Sequence, residues 1–173
     1  MVVDMQNDFI DGILGTEEAL KIVDAVVSKI EQYKQNGDSI VFTKDTHMEN
    51  YLETQEGRNL PAKHCIKDSY GWEICESIQR ICDLSKHKVY EKGTFGASEM
   101  AKDLMSGMYD NIEEIELVGL CTDICVISNA LLIKAFLPEV PLAVDGGCCA
   151  GVTPDSHRNA LEAMKMCQVK VID

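Results

Sequence analysis

The stretch Glu114-Ile115-Glu116-Leu117-Val118-Gly119-Leu120, followed through Cys121 by the apolar segment from Thr122 to Leu137, decides the fold. Its first part is a short apolar run of strand length. The second is long enough for a helix and is stopped by Pro138. A strand that runs straight into a helix closes no hairpin, so it belongs to a crossover between parallel strands. The alternation continues on both sides. Downstream, 140–144 reads as a strand, 154–167 as a helix and 169–172 as the last strand. Upstream, Met1-Val2-Val3-Asp4 reads as the end of a buried strand whose apolar run is short, so further strand residues are expected before it. Residues 7–15 read as a loop, and Thr16 caps a helix that carries Leu20, Ile22, Val23, Val26, Val27 and Ile30 at helical spacing and ends at Asn36-Gly37. Residues 39–43 form a strand, 73–81 a short helix, 88–91 a strand and 98–108 a helix ended by Gly107. The reading is an α/β fold in one domain over 1–173: a six-stranded, mostly parallel sheet with helices on both faces, a three-layer sandwich.

Composition narrows the function classes. The chain has 46% hydrophobic and 26% charged residues, which is globular and excludes a disordered or fibrous chain. Sixteen Lys and Arg against 29 Asp and Glu give a net charge of −13, a field that repels phosphate backbones and anionic lipid, so no nucleic acid and no membrane partner is expected. No charge-free window is long enough to span a bilayer, and the first residues lack a secretion signal. The eight cysteines form no Cys-x-x-Cys pair, which argues against a closed zinc ribbon and for a cytoplasmic protein with reduced thiols. Neither the dinucleotide Gly-x-Gly-x-x-Gly signature nor a P-loop is present.

In open parallel sheets, ligands sit beyond the carboxyl ends of the strands, near the point where strand order reverses. Asp4, Lys92 and Cys125 each lie at or just past such an end. A free thiol is only about 3% ionised at pH 7, and an ammonium and a helix start both favour the thiolate. Thr122 as cap would put Cys125 in the first turn of its helix, with an aspartate to hold the lysine and move the thiol proton. Residues 44–72 form a long polar stretch of the kind that carries function in compact domains. Asp45 and His47 follow a strand two residues apart, and His64 can return to them from the far end. One carboxylate and two imidazoles suit zinc, iron or manganese with open positions for water or substrate. The plain alternatives are turn residues for Asp45 and His47 and a structural histidine for His64.

Three motifs then resemble the isochorismatase-like cysteine hydrolases: Val-Val-Asp-Met-Gln-Asn-Asp-Phe at 2–9, Glu-Lys-Gly-Thr-Phe-Gly at 91–96 and Val-Gly-Leu-Cys-Thr-Asp-Ile-Cys-Val at 118–126. The similarity runs over essentially the whole chain and implies a Rossmann-like sandwich. It also implies a triad with Asp4 as general base, Lys92 as charge partner and Cys125 as nucleophile, and a non-proline cis peptide at Leu120–Cys121. That bond would aim the N–H of Cys121, with that of Cys125, at an oxyanion. Cys121 stands where a small residue such as alanine is usual. Lys-Asp-Thr-His at 44–47 and Leu-Pro-Ala-Lys-His-Cys at 60–65 resemble the metal-binding segments of nicotinamidases, which implies Asp45, His47 and His64 as ligands. Glu56 resembles a fourth ligand of some members, with Glu53 as the other candidate. Phe9 matches a pocket aromatic, whereas Leu60 replaces a tryptophan of the nicotinamidase pattern, with Trp72 further downstream. His87 and His157 match no motif and read as surface or helix residues. Asp145-Gly-Gly-Cys-Cys-Ala reads as a structural turn with Cys148 and Cys149 as packed thiols.

The expected activity is cysteine-dependent hydrolysis of a small-molecule amide through a thioester, of nicotinamidase type with a divalent metal. The alternatives are a metal-independent hydrolase of another small amide, such as a carbamoyl or ureido compound, or a non-catalytic binding protein on the same fold. The apolar helix after Cys125 is a possible surface for a homo-oligomer.

Overall fold

The 114–120 run forms β4 (Ile115–Leu120) at the centre of the protein, a computed structural model that describes residues 1–109 and 111–172. The other strands are β1 (Val2–Val3), β2 (Val41–Asp45), β3 (Lys88–Lys92), β5 (Leu142–Ala150) and β6 (Lys170–Ile172). They pair in the order β3-β2-β1-β4-β5-β6, and every pairing is parallel. The chain steps outward from β1 to β3, then returns to the other side of β1 with β4. The strand order therefore reverses between β1 and β4, which makes the crevice beyond their ends the favoured place for a ligand.

Helices cover both faces, and the side chains of each strand alternate between two cores. One core joins Val2, Phe42 and Val118 to α2 (Glu17–Asn36) and α4 (Glu76–Ile81). The other joins Val3, Leu117 and Val144 to α5 (Ser98–Met105), α6 (Ile127–Phe136) and α7 (Pro154–Met166). Full burial of a side chain such as Leu117 or Ile30 contributes about 1.5–3 kcal/mol. Thr16 caps α2 by accepting the Ala19 N–H, and Gly37 ends it in the left-handed region at φ 82°.

Several boundaries differ from the sequence reading. The loop at 7–15 opens with a short helix, α1 (Asn7–Ile10), and the polar stretch contains a 3-10 turn at Tyr51–Glu53 and a helix, α3 (Gln55–Asn59), whose Thr54 cap accepts the Gly57 N–H. Both β2 and β3 run on to include Asp45 and Lys92 as last residues. Residues 145–150 are not a turn: β5 continues through them, with a bulge where pairing steps from Leu117↔Val144 to Gly119↔Cys149. Glycines are poor strand formers, so Gly146-Gly147 hid the strand while permitting the bulge. Residues Thr122–Val126 form a π-helical turn ahead of α6, and its cap is Cys121 rather than Thr122. The Thr122 hydroxyl is instead 2.8 Å from His157 Nδ1 on α7.

Candidate active site and metal cluster

Parallel register brings the candidate residues together. Asp45 and Lys92 are register partners at the ends of β2 and β3, Asp4 follows β1, and Cys125 follows β4. Lys92 reaches along this edge to place its Nζ 2.7 Å from Asp4 Oδ2, 3.4 Å from Cys125 Sγ and 3.4 Å from Asp45 Oδ1. All four residues are buried. Asp4 takes a left-handed conformation (φ 46°), which costs a non-glycine residue about 1–3 kcal/mol. Its N–H donates to Thr43 O, the Thr43 hydroxyl donates to Asp4 Oδ1 at 2.6 Å, and Asp4 O accepts the Gln6 N–H. These bonds hold the carboxylate aimed at the lysine.

Burial opposes the Lys92 ammonium, but Asp4, Cys125 and Asp45 outweigh it and hold the lysine above its ordinary value. For Asp4 burial dominates, and its carboxyl is pushed up against the pull of Lys92. Cys125 is likewise pushed well up, by burial first and the Asp4 charge second, with Lys92 opposing. Burial and the neighbouring carboxylates therefore work against a thiolate at Cys125, opposite to the pull of Lys92 on which the sequence reading relied.

The Leu120–Cys121 peptide is cis. Gly119 before it has φ 118°, and a Cβ there would stand 2.1 Å from Val3 O, so only glycine lets β1 and β4 approach this closely. In the π turn the Val126 N–H bonds Cys121 O. Asn129, fully buried, ties this helix to the segment after Lys92. Its amide donates to Cys125 O and Phe95 O, and its oxygen accepts the Ala97 N–H.

The polar stretch folds back beside Asp4, Lys92 and Cys125. The His47 N–H donates to Cys65 O and the Lys67 N–H to His47 O, so the two limbs are zipped together. Cys65 is fixed further by its N–H to Asp8 Oδ2 at 2.7 Å. Gly71 makes room for that carboxylate, since a Cβ there would meet it at 2.1 Å. Ligand atoms of Asp45, His47, Glu56 and His64 all lie within 4.8 Å of one another, whereas Glu53 is exposed and outside the group. Asp45 Oδ2 is 2.8 Å from His47 Nε2 and 3.4 Å from His64 Nε2, and Glu56 Oε1 is 3.6 and 3.7 Å from the same two atoms.

Three features fit a metal. His47 Nε2 is buried, faces the carboxylates of Asp45 and Glu56, and has no well-aligned hydrogen bond among the described residues. His64 Nδ1 is 2.9 Å from Ala62 O, which leaves its Nε2 to face the cluster. The donor set of two imidazoles and two carboxylates suits a divalent transition ion. Burial works against protonation of His64, but Asp45 and Ala62 O prevail and hold its proton affinity above the ordinary histidine value. Asp45 is held below the usual carboxylate range because His47, His64 and Lys92 together overcome its burial.

Phe9 lies against the cluster, its ring 5.6 Å from that of His64. Leu60 is half-exposed. Trp72 is buried with Lys44 Nζ 2.9 Å from its ring centroid, and its Nε1 donates to the Thr46 hydroxyl. Gln6 had no signal in periodicity. It is fully buried and grips the end of β2, donating to Asp45 O and Trp72 O and accepting the Asp45 N–H. His87 caps a 3-10 turn, with its ring 5.8 Å from Phe42.

An Isochorismatase domain matches residues 1–173. The chain belongs to the isochorismatase family. Within it, a nicotinamidase/pyrazinamidase from Bacillus subtilis is 30% identical, with 99% of this chain and 97% of that one covered at a TM-score of 0.84. A pyrazinamidase of Pyrococcus horikoshii, solved in complex with zinc, is 27% identical, with 99% and 96% covered at 0.78. An N-carbamoylsarcosine amidase from Thermoplasma acidophilum is 25% identical, with 99% and 92% covered, also at 0.78. This isochorismatase-family protein is a hydrolase acting on amides, with a small molecule as substrate. Among the described residues no helix is long and apolar enough to cross a membrane, and all eight cysteines are free thiols.

Proposed function

We propose that the protein is a nicotinamidase-like amidase with Asp4, Lys92 and Cys125 as its catalytic residues. The observation that carries the reading is the Lys92 ammonium set between Asp4 Oδ2 and Cys125 Sγ, at 2.7 and 3.4 Å, beside a four-ligand cluster. Asp4 takes the thiol proton as Cys125 Sγ attacks the carboxamide carbon, and Lys92 compensates the charge on sulfur. The N–H groups of Cys121 and Cys125 receive the oxyanion, an interaction of about 3–4 kcal/mol in comparable sites. The protonated Asp4 then donates to the departing amine, which leaves as ammonia while the acyl group stays on sulfur. Asp4 next removes a proton from water, which attacks the thioester carbonyl. The acid is released, and the proton returns to Cys125.

Asp45, His47, Glu56 and His64 would hold a divalent transition metal, with zinc, iron and manganese all compatible with these donors. When bound, the ion supplies a Lewis-acidic anchor for a heteroatom of the substrate, such as a ring nitrogen. Phe9, beside His64, offers an apolar wall to such a ring.

A second reading is hydrolysis of a linear carbamoyl or ureido amide without a metal. It draws on the likeness to the N-carbamoylsarcosine amidase and on Leu60 in place of an aromatic. Ammonia release from nicotinamide, a carbamoyl amino acid and a ureido acid separates the two readings, with Cys125→Ala as blank. Turnover of nicotinamide that chelation removes and zinc, iron or manganese restores is the expected result. Chelator-insensitive turnover of the carbamoyl or ureido compound alone would replace the first reading with the second.

A further inference from the structure

Tyr51 is the only side chain that touches both imidazoles of the cluster through its ring and also spans the polar stretch through its hydrogen bonds, among the contacts of the described residues. It is fully buried. Its ring centroid is 4.6 Å from that of His47 and 5.0 Å from that of His64, and the two imidazoles are 4.8 Å apart, so the three rings close a triangle. Its backbone N–H donates to Met48 O, beside His47, and its hydroxyl donates to Leu60 O at 2.9 Å, on the limb that leads to His64. Its carbonyl accepts from the Thr54 N–H and hydroxyl, and Thr54 caps the helix that carries Glu56. One residue is therefore bonded to all three segments that bring ligands to Asp45.

We propose that Tyr51 is a positioning residue for the metal cluster, its ring setting the separation of His47 and His64 and its hydroxyl fixing the limb that returns His64 to the site. The proposal rests on the metal-binding reading above. The Tyr51 hydroxyl donates to Leu60 O, so the role assigned to it is support of that limb rather than coordination. It acts by lowering the cost of ordering. Two imidazoles on separate limbs of a polar segment each lose rotamer and backbone freedom when a cation gathers them, and a wall that already holds both removes part of that loss. Removing the supports of metal ligands weakens metal affinity by about 10–100-fold in other sites.

The test compares wild type, Tyr51→Phe and Tyr51→Leu as metal-free protein. Zinc affinity is measured by competition with a chromophoric chelator, and the visible spectrum of the cobalt-loaded form is recorded. The expected order is graded. Tyr51→Phe keeps the ring and the wild-type cobalt spectrum but binds zinc more weakly, and Tyr51→Leu loses about 10–100-fold with an altered spectrum. A purely structural role would lower the melting temperature of the metal-free variants and leave zinc affinity and spectrum unchanged. Should Tyr51→Leu fail to fold, Tyr51→Phe decides: zinc affinity equal to wild type overturns the assignment, and weaker affinity supports it. A wild-type protein that takes up neither zinc nor cobalt removes the metal reading and the assignment together. Metal-binding wild type with an equally tight Tyr51→Phe removes the assignment alone.

Discussion

Asp4 has no contact with bulk water and sits 2.7 Å from an ammonium, and these conditions pull its proton affinity in opposite directions. Burial is the larger, so its carboxyl is raised. If Asp4 must be ionised to accept the thiol proton, kcat/KM rises with pH along an acid limb placed above the ordinary carboxylate range. The Thr43 hydroxyl donates to Asp4 Oδ1 and favours its charged form. Replacing Thr43 with Val removes that donor, so the acid limb of Thr43→Val moves to higher pH than wild type. A pH–rate profile for both proteins checks the shift, and an unmoved limb would mean that another group sets it. The convergence of Asp4, Lys92 and Cys125 was legible because each stands at a strand end and within a motif. Thr43 shares the β2 face of Asp45 by strand alternation, but nothing in its own type marks it. The burial that works against a Cys125 thiolate was not legible, because sequence showed the lysine and the helix start but not their surroundings.

The turn that carries Cys125 and the end of β3 are separate elements joined by Asn129. Its amide groups hold Cys125 O, Phe95 O and the Ala97 N–H at once, so it sets how far the sulfur stands from Lys92. Asn129→Ala removes all these bonds. Displacement by about 1 Å can cost roughly 100-fold in rate, so kcat of Asn129→Ala is expected to fall by about 10–100-fold. Its iodoacetamide labelling at Cys125 should change in the same preparation, since the contact with Lys92 changes too. Wild-type kcat and labelling in a folded variant would remove this role. The helix after Leu120 was legible from its apolar length and from Pro138, yet its opening π turn was not, because a single widened turn leaves the hydrophobic pattern nearly unchanged. The helix at Gln55–Asn59, the bearer of Glu56, stayed hidden for a different reason: it is short, polar and contains a glycine, so its main signal was the Thr54 cap.

At the scale of the whole molecule, Lys29 of α2 ties the helix layer to the sheet. Its Nζ is 3.1 Å from Glu116 Oε1 on β4 and 2.5 Å from Asp145 Oδ2 at the bulge of β5. Burial opposes its charge, but bonds to Asp145 and Glu116 prevail and hold its proton affinity above the ordinary lysine value. Such a raised group stabilises the fold fully below its unfolded-state pKa of about 10.4, and the contribution is lost as pH climbs through the folded value. Lys29→Met should cost about 1–3 kcal/mol near neutrality. The gap to wild type in urea midpoints should narrow at pH 11 relative to pH 8, and a gap that stays constant would mean the cost is packing alone. The parallel sheet and both helical layers followed from the alternation of strands and helices, whereas the strand order and this cross-layer ion group did not, because only the fold brings positions 29, 116 and 145 together. Asp45 carries a different lesson. One oxygen faces Lys92 and the other faces His47, so the residue is shared by the proposed triad and the proposed metal cluster. A variant at this position would disturb ion uptake and thiol chemistry together, and its loss of activity could be charged to neither. Experiments meant to empty the cluster while sparing the triad should begin with His47 or His64, which touch only the former.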